Sequence, residues 1–204
     1  DELIAQYPLE NRSDSRLLVY SKSAGEHSHQ MFRDLSDYLN PGDLLVMNDS
    51  KVIPARFYGK KTTGGRVEIL VERILDQQEF FAHIKSSKSP KNGSVINLEN
   101  GWYLTIIEKN GDLYHCQAST DISTILNAIG HIPLPPYINR NDESLDLSRY
   151  QTVYANSNAE GSVAAPTAGL HFDNLVLDKI KEKGVNIAYT TLHVGASTFQ
   201  PVRS

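Results

Sequence analysis

The sequence contains very few residues of the kind that build covalent or metal-bound frameworks. It has a single cysteine among 204 residues, Cys116, so neither an internal disulfide nor a thiolate cluster can form. This composition predicts a reducing compartment, with the cytoplasm as the default, and a fold without bound metal.

Long apolar runs are also missing. No stretch reaches the length of apolar residues that a bilayer-spanning helix needs. The acidic start, Asp1 and Glu2, does not resemble the basic and apolar regions of a signal peptide. We therefore expect a soluble protein, and 40% hydrophobic residues are enough to bury a core in one large domain or two small ones.

The net charge of -4 excludes a surface that binds nucleic acid everywhere, because phosphate contacts need clustered Lys and Arg. One window is different, since it has five basic residues and no acidic one: Lys51, Arg56, Lys60, Lys61 and Arg66. This window predicts either a phosphate-contacting patch or a solvated strand edge. A second basic window holds Lys85, Lys88 and Lys91 and has the same two interpretations.

Hydrophobic periodicity divides the chain into three parts. Apolar residues at helical spacing predict a helix over 31–39, followed by a strand over 44–47 that leads into polar residues 48–50. Residues 56–118 contain short β-type runs separated by Gly and Asn turns, which is typical of a small barrel or sandwich. The runs lie at 67–71, 80–84, 94–98, 102–107 and 113–118.

The rest of the chain returns to an α/β pattern. A short helix is predicted over 122–129, and the proline-rich residues 131–138 form an extended segment that marks a domain boundary. Residues 139–148 are polar, and residues 150–154 resume the pattern. A helix capped by Asp173 and ended by Gly184 then precedes a strand over 185–194. We expect an α/β sandwich domain made of residues 1–56 and 148–204, with a β-barrel domain, 57–147, inserted between them.

Two segments carry candidate chemistry. Residues 164–172 place small residues and His171 before a helix start, where an anion can bind, or where the loop only packs and caps. Residues 192–199 place His193 at a strand end, where it acts as an acid or base, or as a core residue. His27 and His29 are predicted to lie in a solvated loop. Asp49 follows a strand, where it can act on a ligand or make an ordinary turn.

Several segments together resemble the queuosine ribosyltransferase-isomerase family. They include Leu-Ile-Ala-Gln-Tyr-Pro at 3–8, Pro-Gly-Asp-Leu-Leu-Val-Met-Asn-Asp-Ser-Lys-Val-Ile-Pro-Ala-Arg at 41–56 and Gly-Gly-Arg-Val-Glu-Ile-Leu at 64–70. Residues 15–18, 132–138 with Arg140, 150–155, 161–172 and 192–202 also match, in the family's order. The resemblance implies an α/β domain with an inserted barrel.

The resemblance also implies an activity. Such enzymes transfer and isomerise the ribosyl part of S-adenosylmethionine onto 7-aminomethyl-7-deazaguanine at the wobble position of a tRNA with a GUN-type anticodon. Epoxyqueuosine forms, while adenine and methionine leave. S-adenosylmethionine is then a consumed substrate, with no further cofactor, and the enzyme is expected to be a monomer.

Candidate site residues follow from the matched motifs. We expect His171, His193 and Asp49 to be catalytic, with acid and base roles unassigned between the histidines. The residues expected to bind the substrate are Asn48, Ser50, Arg56, Tyr137, Arg140, Tyr150, Pro166, Thr167, Ala168, Gly169, Phe172, Gly195, Thr198 and Phe199. The residues expected to bind tRNA are Lys51, Lys60, Lys61 and Arg66.

The chain departs from the family pattern in two ways. Ser197 stands where the family has glycine in its His-Val-Gly-Ala-Gly-Thr-Phe motif, although serine is also small. Family members continue beyond the position of Ser204, so we expect further residues there. The alternatives are an RNA-binding module in which the histidine loops are structural, an inactive fragment, and, more remotely, a hydrolase that lacks a recognisable nucleophile elbow.

Overall fold

The first part of the molecule is a hairpin followed by two short strands. Each of these two strands pairs in parallel with a strand from a later part of the chain. The structure is a computed structural model that describes residues 2–195. Strands β1 (Arg16–Ser21) and β2 (Glu26–Met31) pair antiparallel around Gly25, after a 3-10 helix at Arg12–Asp14. A 3-10 helix at Phe32–Tyr38 then leads to β3 (Leu44–Asn48) and β4 (Lys51–Val52).

The middle of the chain forms a closed six-stranded antiparallel barrel. Its strands are β5 (Arg56–Lys61), β6 (Arg66–Ile74), β7 (Glu79–Ser86), β8 (Val95–Asn97), β9 (Tyr103–Asn110) and β10 (Leu113–Ala118), with a 3-10 turn at Glu99–Gly101. Side chains alternate between the two faces of each strand, so Phe57, Ile69, Phe80 and Leu104 point inward and are fully buried. Each such side chain contributes about 1.5–3 kcal/mol of burial free energy.

Helix α1 (Ile122–Ile129) packs against the barrel core. The Asp121 carboxylate accepts a hydrogen bond from the Ser123 backbone N–H at 2.8 Å and so caps the helix. Ile122, Ile125 and Leu126 are buried in the barrel cluster. The barrel therefore has a helix covering part of its core.

The chain then leaves the barrel along an extended, largely buried segment. His131 forms an isolated antiparallel bridge with Arg56, and Ile132 and Leu134 are buried in a third apolar cluster. The remaining elements are α2 (Ser144–Arg149), β11 (Glu160–Ser162), a 3-10 helix at Thr167–His171, α3 (Asn174–Glu182) and β12 (Asn186–Thr190).

A second core lies under the two-stranded parallel sheet of β3 and β12. Met47 from β3, Phe32 and Phe172 from the 3-10 segments, and Val176 and Ile180 from α3 pack together. Residues 44–48 and 186–190 pair residue for residue, although they lie far apart in the chain. The parallel pairing places the carboxyl ends of β3 and β12 side by side.

The predicted fold class, an α/β fold with an inserted antiparallel barrel, is confirmed. Helix α1 has the predicted bounds, and α3 begins at the predicted cap, where Asp173 accepts a hydrogen bond from the Val176 N–H at 2.9 Å. The division into residues 1–56 with 148–204 and 57–147 stays a prediction; the barrel strands run from Arg56 to Ala118.

Three local predictions are wrong for identifiable reasons. The expected helix over 31–39 is a 3-10 helix from Phe32, since Met31 pairs with Arg16 in the hairpin and the apolar residues also fit a three-residue repeat. His27 and His29 lie in β2, where a strand with exposed polar side chains has no hydrophobic signal. The strand expected over 185–194 ends at Thr190, opposite Asn48, where its partner also ends.

A helix also lies where the sequence indicates none. Helix α2 begins within the polar residues 139–148 and ends at Arg149, and its first turn is fixed by the Asp146 carboxylate, which accepts a hydrogen bond from the Glu143 N–H at 2.8 Å. Residues 150–154 contain no strand. The sequence pattern does not predict this helix, because polar contacts stabilise it and hydrophobic periodicity detects only apolar faces.

Other sequence expectations concern membranes, metals and the lone thiol. Within residues 2–195, no helix has the length and apolar character to cross a membrane. In the same part of the chain, no group of His, Cys, Asp and Glu side chains could hold a metal ion. Cys116 is buried and unpaired, and burial raises the pKa of its thiol to about 12, so it is not a reactive thiolate.

Gly130 ends α1 at a point with no room for a side chain. An added Cβ would collide with the backbone oxygens of Leu126 and Pro54, which cannot move aside independently. We expect Gly130→Ala to lower the free energy of unfolding by about 1–3 kcal/mol, measured by chemical denaturation. Gly65→Ala is the control, because its Cβ would meet only the flexible Lys61 side chain at 3.4 Å. Equal stability of the two variants would contradict this account.

Candidate functional site

Polar residues from two distant segments meet at the carboxyl ends of β3 and β12. The Asn48 amide donates to the Leu192 carbonyl at 2.9 Å and its oxygen accepts from the Leu192 N–H at 3.1 Å. This reciprocal pair ties the chain after β12 to the end of β3. Ligands in parallel α/β sheets commonly bind beyond such strand ends.

Asp49 is buried in this group and its carboxylate is engaged by protein donors. Its side-chain oxygens accept from the Thr191 hydroxyl at 2.7 Å and from the Asn156 amide at 3.4 Å. Ser50 is fully buried, and its hydroxyl has no hydrogen-bond partner among the described residues. Asp49 therefore orients the loop that follows β12, and Ser50 contributes an unsatisfied hydroxyl beside it.

His193 lies on this loop with an exposed ring. The ring packs over Gly161, where an added Cβ would come within 3.4 Å of it. The next residue, Val194, is fixed through its backbone, because its carbonyl accepts from the Val163 N–H at 2.8 Å and its N–H donates to the Ser162 hydroxyl at 3.0 Å. The His193 ring is thus held at its base and open on its outer side.

The same loop touches the barrel. A Cβ on Gly195 would collide with the Glu72 carboxylate of β6, so the glycine allows the two to approach closely. Glu72 also forms an ion pair with His83 of β7 at 3.5 Å, and hydrogen bonding with Glu72 is the main cause that raises the pKa of His83. The sequence alone did not indicate Glu72 or His83, because pairing across strands is invisible before the register is known. Thr198 and Phe199 lie outside the described residues.

A second group of predicted residues lines a cavity of about 510 Å³ between the first residues of the chain, the segment before α2 and the 3-10 helix at Thr167–His171. We call this cavity the amino-terminal cleft. Its walls include five residues expected from the sequence: Tyr137, Arg140, Tyr150, Thr167 and His171. The structure therefore brings these five together.

His171 lines the cleft, is exposed to solvent, and has one part of its ring against the protein. Its Nδ1 lies 3.0 Å from the Ser15 hydroxyl, and its ring packs against Phe32 with centroids 5.4 Å apart. Burial, with a smaller contribution from the positive charge of Arg12, lowers the pKa of His171 below its ordinary value. Its imidazole is therefore neutral near pH 7 and can accept a proton.

Two buried polar groups of the cleft lack hydrogen-bond partners among the described residues. Tyr150 is 8% exposed, and its hydroxyl is one of them; the Ala165 backbone lies near it but outside normal hydrogen-bond geometry. Burial raises the pKa of Tyr150 to about 12, so the hydroxyl keeps its proton and can donate it in a hydrogen bond. The Arg149 Nε is the other. Unsatisfied buried donors are uncommon in folded proteins, and a ligand acceptor would satisfy them.

Arg140 is committed to the protein itself. Its guanidinium donates two hydrogen bonds to the Asp146 carboxylate, at 2.7 and 2.8 Å, and one to the Gln6 carbonyl at 2.8 Å. It also lies over the Tyr7 ring, 4.3 Å from the centroid. Arg140 therefore fastens the amino-terminal segment over the cleft, and its predicted contact with substrate stays a prediction.

The segment 166–172 is mainly a packing loop in this structure. Gly169 is buried where an added Cβ would collide with the Tyr154 hydroxyl, and Phe172 packs edge-on against Phe32 at 4.9 Å. Pro166 precedes the 3-10 turn and Ala168 is exposed. The anion site expected before the helix is occupied by the Asp173 cap, which also accepts a hydrogen bond from Ser13.

Within the described part of the chain, the predicted residues thus fall into two groups, one at the strand ends and one in the amino-terminal cleft. Asn48, Asp49, Ser50, His193 and Gly195 surround the strand ends, and five others line the cleft. Among the residues that the structure describes, the hydrogen bond, ring contact and charge interaction of His171 are with Ser15, Phe32 and Arg12, and none of these three belongs to the strand-end group. The chain segment 162–167 connects the two groups.

The predicted basic residues lie on and beside the barrel. Lys60 and Arg66 line a groove of about 840 Å³ on the barrel surface. Lys61 donates to the Lys88 carbonyl, Lys51 lies in β4, and Arg56 forms an ion pair with Glu68 at 3.4 Å. Only two of these five residues therefore share one groove.

Comparison with known proteins gives one consistent result. The family model described as queuosine biosynthesis protein matches residues 1–204. S-adenosylmethionine:tRNA ribosyltransferase-isomerases of Legionella pneumophila, strains Paris and Corby, are each 64% identical over 202 residues, which is 99% of this chain. The chain spans 59% of the length of these relatives.

A solved structure is also similar. The S-adenosylmethionine tRNA ribosyltransferase from Thermotoga maritima is 28% identical, and the match covers 95% of this chain and 55% of that one. Its TM-score is 0.39.

The Arg140–Asp146 pair yields a stability prediction. Asp146 is almost fully buried, and Asp146→Asn removes the negative charge and one of the two acceptor oxygens that pair with a largely buried guanidinium, so we expect a loss of about 3 kcal/mol in the free energy of unfolding. Hydrogen bonds from Arg140 lower the pKa of Asp146 below its ordinary value of 3.8. The difference between wild type and variant should be full above pH 3.8 and shrink as the pH falls below it.

Asp178→Asn on the exposed face of α3 is the control for this measurement, because surface substitutions usually change stability by less than about 0.5 kcal/mol. Urea titrations across acid pH provide the comparison. A difference between wild type and Asp146→Asn that grows below pH 3.8 would contradict the assigned direction.

His171 yields a prediction about protonation. Its NMR titration midpoint in the folded protein should lie below the midpoint of the same residue in the urea-unfolded chain, because burial and Arg12 disfavour the imidazolium. The unfolded chain supplies the internal reference. A folded midpoint at or above the unfolded one would show that His171 is not kept neutral by its surroundings.

Proposed function

Because the chain belongs to the queuosine biosynthesis protein family, we propose that it takes part in transferring and isomerising the ribosyl group of S-adenosylmethionine onto 7-aminomethyl-7-deazaguanine at the tRNA wobble position. The observation that carries the proposal is 64% identity over 99% of this chain to ribosyltransferase-isomerases of Legionella pneumophila. The products are epoxyqueuosine in the tRNA, adenine and methionine.

The reaction needs a base and an aid to adenine departure. Hydrogens on the ribose carbon beside a sulfonium are acidified, so a neutral imidazole placed against that carbon can start the rearrangement. We assign this role to His171, because its surroundings keep it neutral and it lines the cleft. His193 at the strand ends is the candidate for giving adenine a proton or a hydrogen bond, and Asp49 beside it is the candidate for facing the sulfonium or a ribose hydroxyl.

The proposed ligand contacts follow the two groups of residues. In the cleft, the Tyr150 hydroxyl is a buried donor without a partner among the described residues, and Thr167 and Tyr137 lie in the same wall. At the strand ends, the Ser50 hydroxyl is equally unsatisfied. These polar groups suit a nucleoside, which supports placing S-adenosylmethionine between the amino-terminal cleft and the carboxyl ends of β3 and β12.

The partners follow from the same proposal. The tRNA carries the deazaguanine precursor in a GUN-type anticodon, and S-adenosylmethionine is consumed rather than retained as a cofactor. We place the protein in the cytoplasm, as a monomer, with no metal in the reaction. Lys51, Lys60, Lys61 and Arg66 are the proposed tRNA-contacting residues.

A second candidate function is RNA binding without turnover. The share of 59% that this chain represents of its relatives' length leaves this alternative open. This alternative predicts tRNA binding with no consumption of S-adenosylmethionine.

The discriminating experiment measures adenine release from S-adenosylmethionine, with tRNA carrying the precursor compared against unmodified tRNA. Release only with the modified tRNA supports the enzyme. His171→Asn and His193→Asn should each slow release by about 10²–10⁴-fold if they act as acid and base. His27→Asn in the exposed hairpin is the matched control and should leave the rate unchanged.

Two outcomes count against the proposal. Adenine release that is unchanged in the double variant His171→Asn with His193→Asn removes both histidines from the chemistry. Binding of modified tRNA with no adenine release at all leaves the RNA-binding alternative.

A further inference from the structure

The barrel has a groove on its outer surface that the transfer chemistry does not use. Strands β5, β6, β7 and β8 line this cavity of about 840 Å³. The strand alternation places Phe57 inside the barrel and the neighbouring Tyr58 and Lys60 outside, in the groove wall. Arg66 of β6 and Lys85 of β7 lie in the same wall.

Two positive charges face each other in the groove. Lys60 of β5 pairs directly with Arg66 of β6 in the strand register. Like charges directly opposite in an antiparallel pair destabilise it. Neither side chain forms an ion pair within residues 2–195. An anion held between them would remove the repulsion, so this position is suited to a phosphate.

The acidic groups of the groove do not neutralise this pair. Glu68 lies opposite Lys85 in the register and forms an ion pair with Arg56 at 3.4 Å, so its charge is matched by its own neighbours. Glu99 lies in the short 3-10 segment at the groove wall. The Lys60 end of the groove is therefore its positive end.

An aromatic ring lies one strand step from the cations. Tyr58 is 49% exposed and lies two residues from Lys60 on the same face, a distance of about 7 Å along the strand. The His131 ring contacts it edge-on at 5.5 Å, and Asp142 holds His131 at 3.1 Å. His131 thus contacts the Tyr58 ring from the protein side, and about half of the Tyr58 surface is exposed to solvent.

A cation pair and an aromatic ring at this spacing match one nucleotide of an RNA strand. We propose that the barrel groove binds a strand of RNA, with a phosphate between Lys60 and Arg66 and a base against Tyr58. The identity of that RNA as the substrate tRNA rests on the proposed function. Base stacking on an aromatic ring is tolerant of sequence, so the groove contributes affinity and register rather than base identity.

The test measures the binding of tRNA to the full chain by fluorescence anisotropy, at a series of salt concentrations. The double variant Lys60→Gln with Arg66→Gln should bind several-fold more weakly, and the slope of log affinity against log salt should shrink by about 1, because one phosphate contact is lost. Tyr58→Ala should weaken binding roughly fivefold or more with no change of slope, whereas Tyr58→Phe should bind like wild type.

The double variant Lys179→Gln with Lys181→Gln is the matched control, since it removes two exposed charges from α3, away from the barrel. Equal weakening in the control and the groove variant would show a response to net charge and would overturn the proposal. Unchanged binding in the groove variant, with thermal unfolding like wild type, would also overturn it. An acidic peptide is tested in the same assay. If it binds the wild type strongly, binds the groove variant weakly and is not displaced by tRNA, the groove is assigned to a protein partner instead.

Failure of the groove and failure of the enzyme proposal give different results. If both proposals hold, the groove variant raises the KM for modified tRNA and leaves kcat unchanged at saturating tRNA. If no variant releases adenine but the binding pattern above is found, the groove is supported and the transferase proposal falls. If the groove variant turns over with wild-type KM, the groove proposal falls and the enzyme proposal stands.

Discussion

The parallel pairing of β3 with β12 is the constraint on which the candidate site depends. It joins residues 44–48 to residues 186–190, and the whole barrel lies in the chain between them. Because both strands run in one direction, the loops that follow them emerge at the same edge. Asn48 then binds the Leu192 backbone and Asp49 binds Thr191, so two loops become one surface. The pairing, together with the backbone bonds of Val194 to Val163 and Ser162, fixes the position of His193 relative to Asp49.

Arginine side chains have a comparable role in the amino-terminal cleft. Arg12 donates to the carbonyls of Ser148 and Leu170, and Arg149 donates to those of Leu9 and Glu10. Arg140 joins Gln6 to Asp146. These contacts fasten segments that carry almost no regular structure, because backbone carbonyls in such segments need donors from elsewhere. Guanidinium groups therefore fasten the segments around the cleft, and residues of the third apolar cluster also line it: Leu134, Ile138, Tyr150 and Leu170.

Much of the fold could be predicted from the sequence, because hydrophobic alternation and turn residues report directly on which face of a strand is buried. The barrel runs, α1 and the Asp173 cap are local signals of this type. The β2 strand and α2 gave no such signal, since exposed polar side chains and an Asp146-based turn hold them. Predictions failed where stability comes from polar contacts or from a partner strand, as in the shortened β12.

The site was predictable as a list of residues but not as an arrangement. The sequence indicated His171, Tyr150 and Thr167, and the structure places them in one cleft. It could not place Ser15 or Arg12 beside His171, because they come from a segment more than a hundred residues away; Ser15 contacts the His171 ring, and Arg12 adds to the effect of burial on the pKa of His171. The sequence also could not show that the N–H donors of Arg140 are used by Gln6 and Asp146 and are not available to a ligand.

Strand β6 takes part in two different surfaces, because Arg66 at one end faces the surface groove and Glu72 near the other end touches Gly195. The strand pairs with β5 over residues 66–70, and its register with β7 shifts between Val71 and Arg73, so Glu72 lies at a bulge. A bulge bends the strand and changes the direction of a side chain. One strand therefore carries a groove residue in its regular part and a contact of the His193 loop at its irregular end.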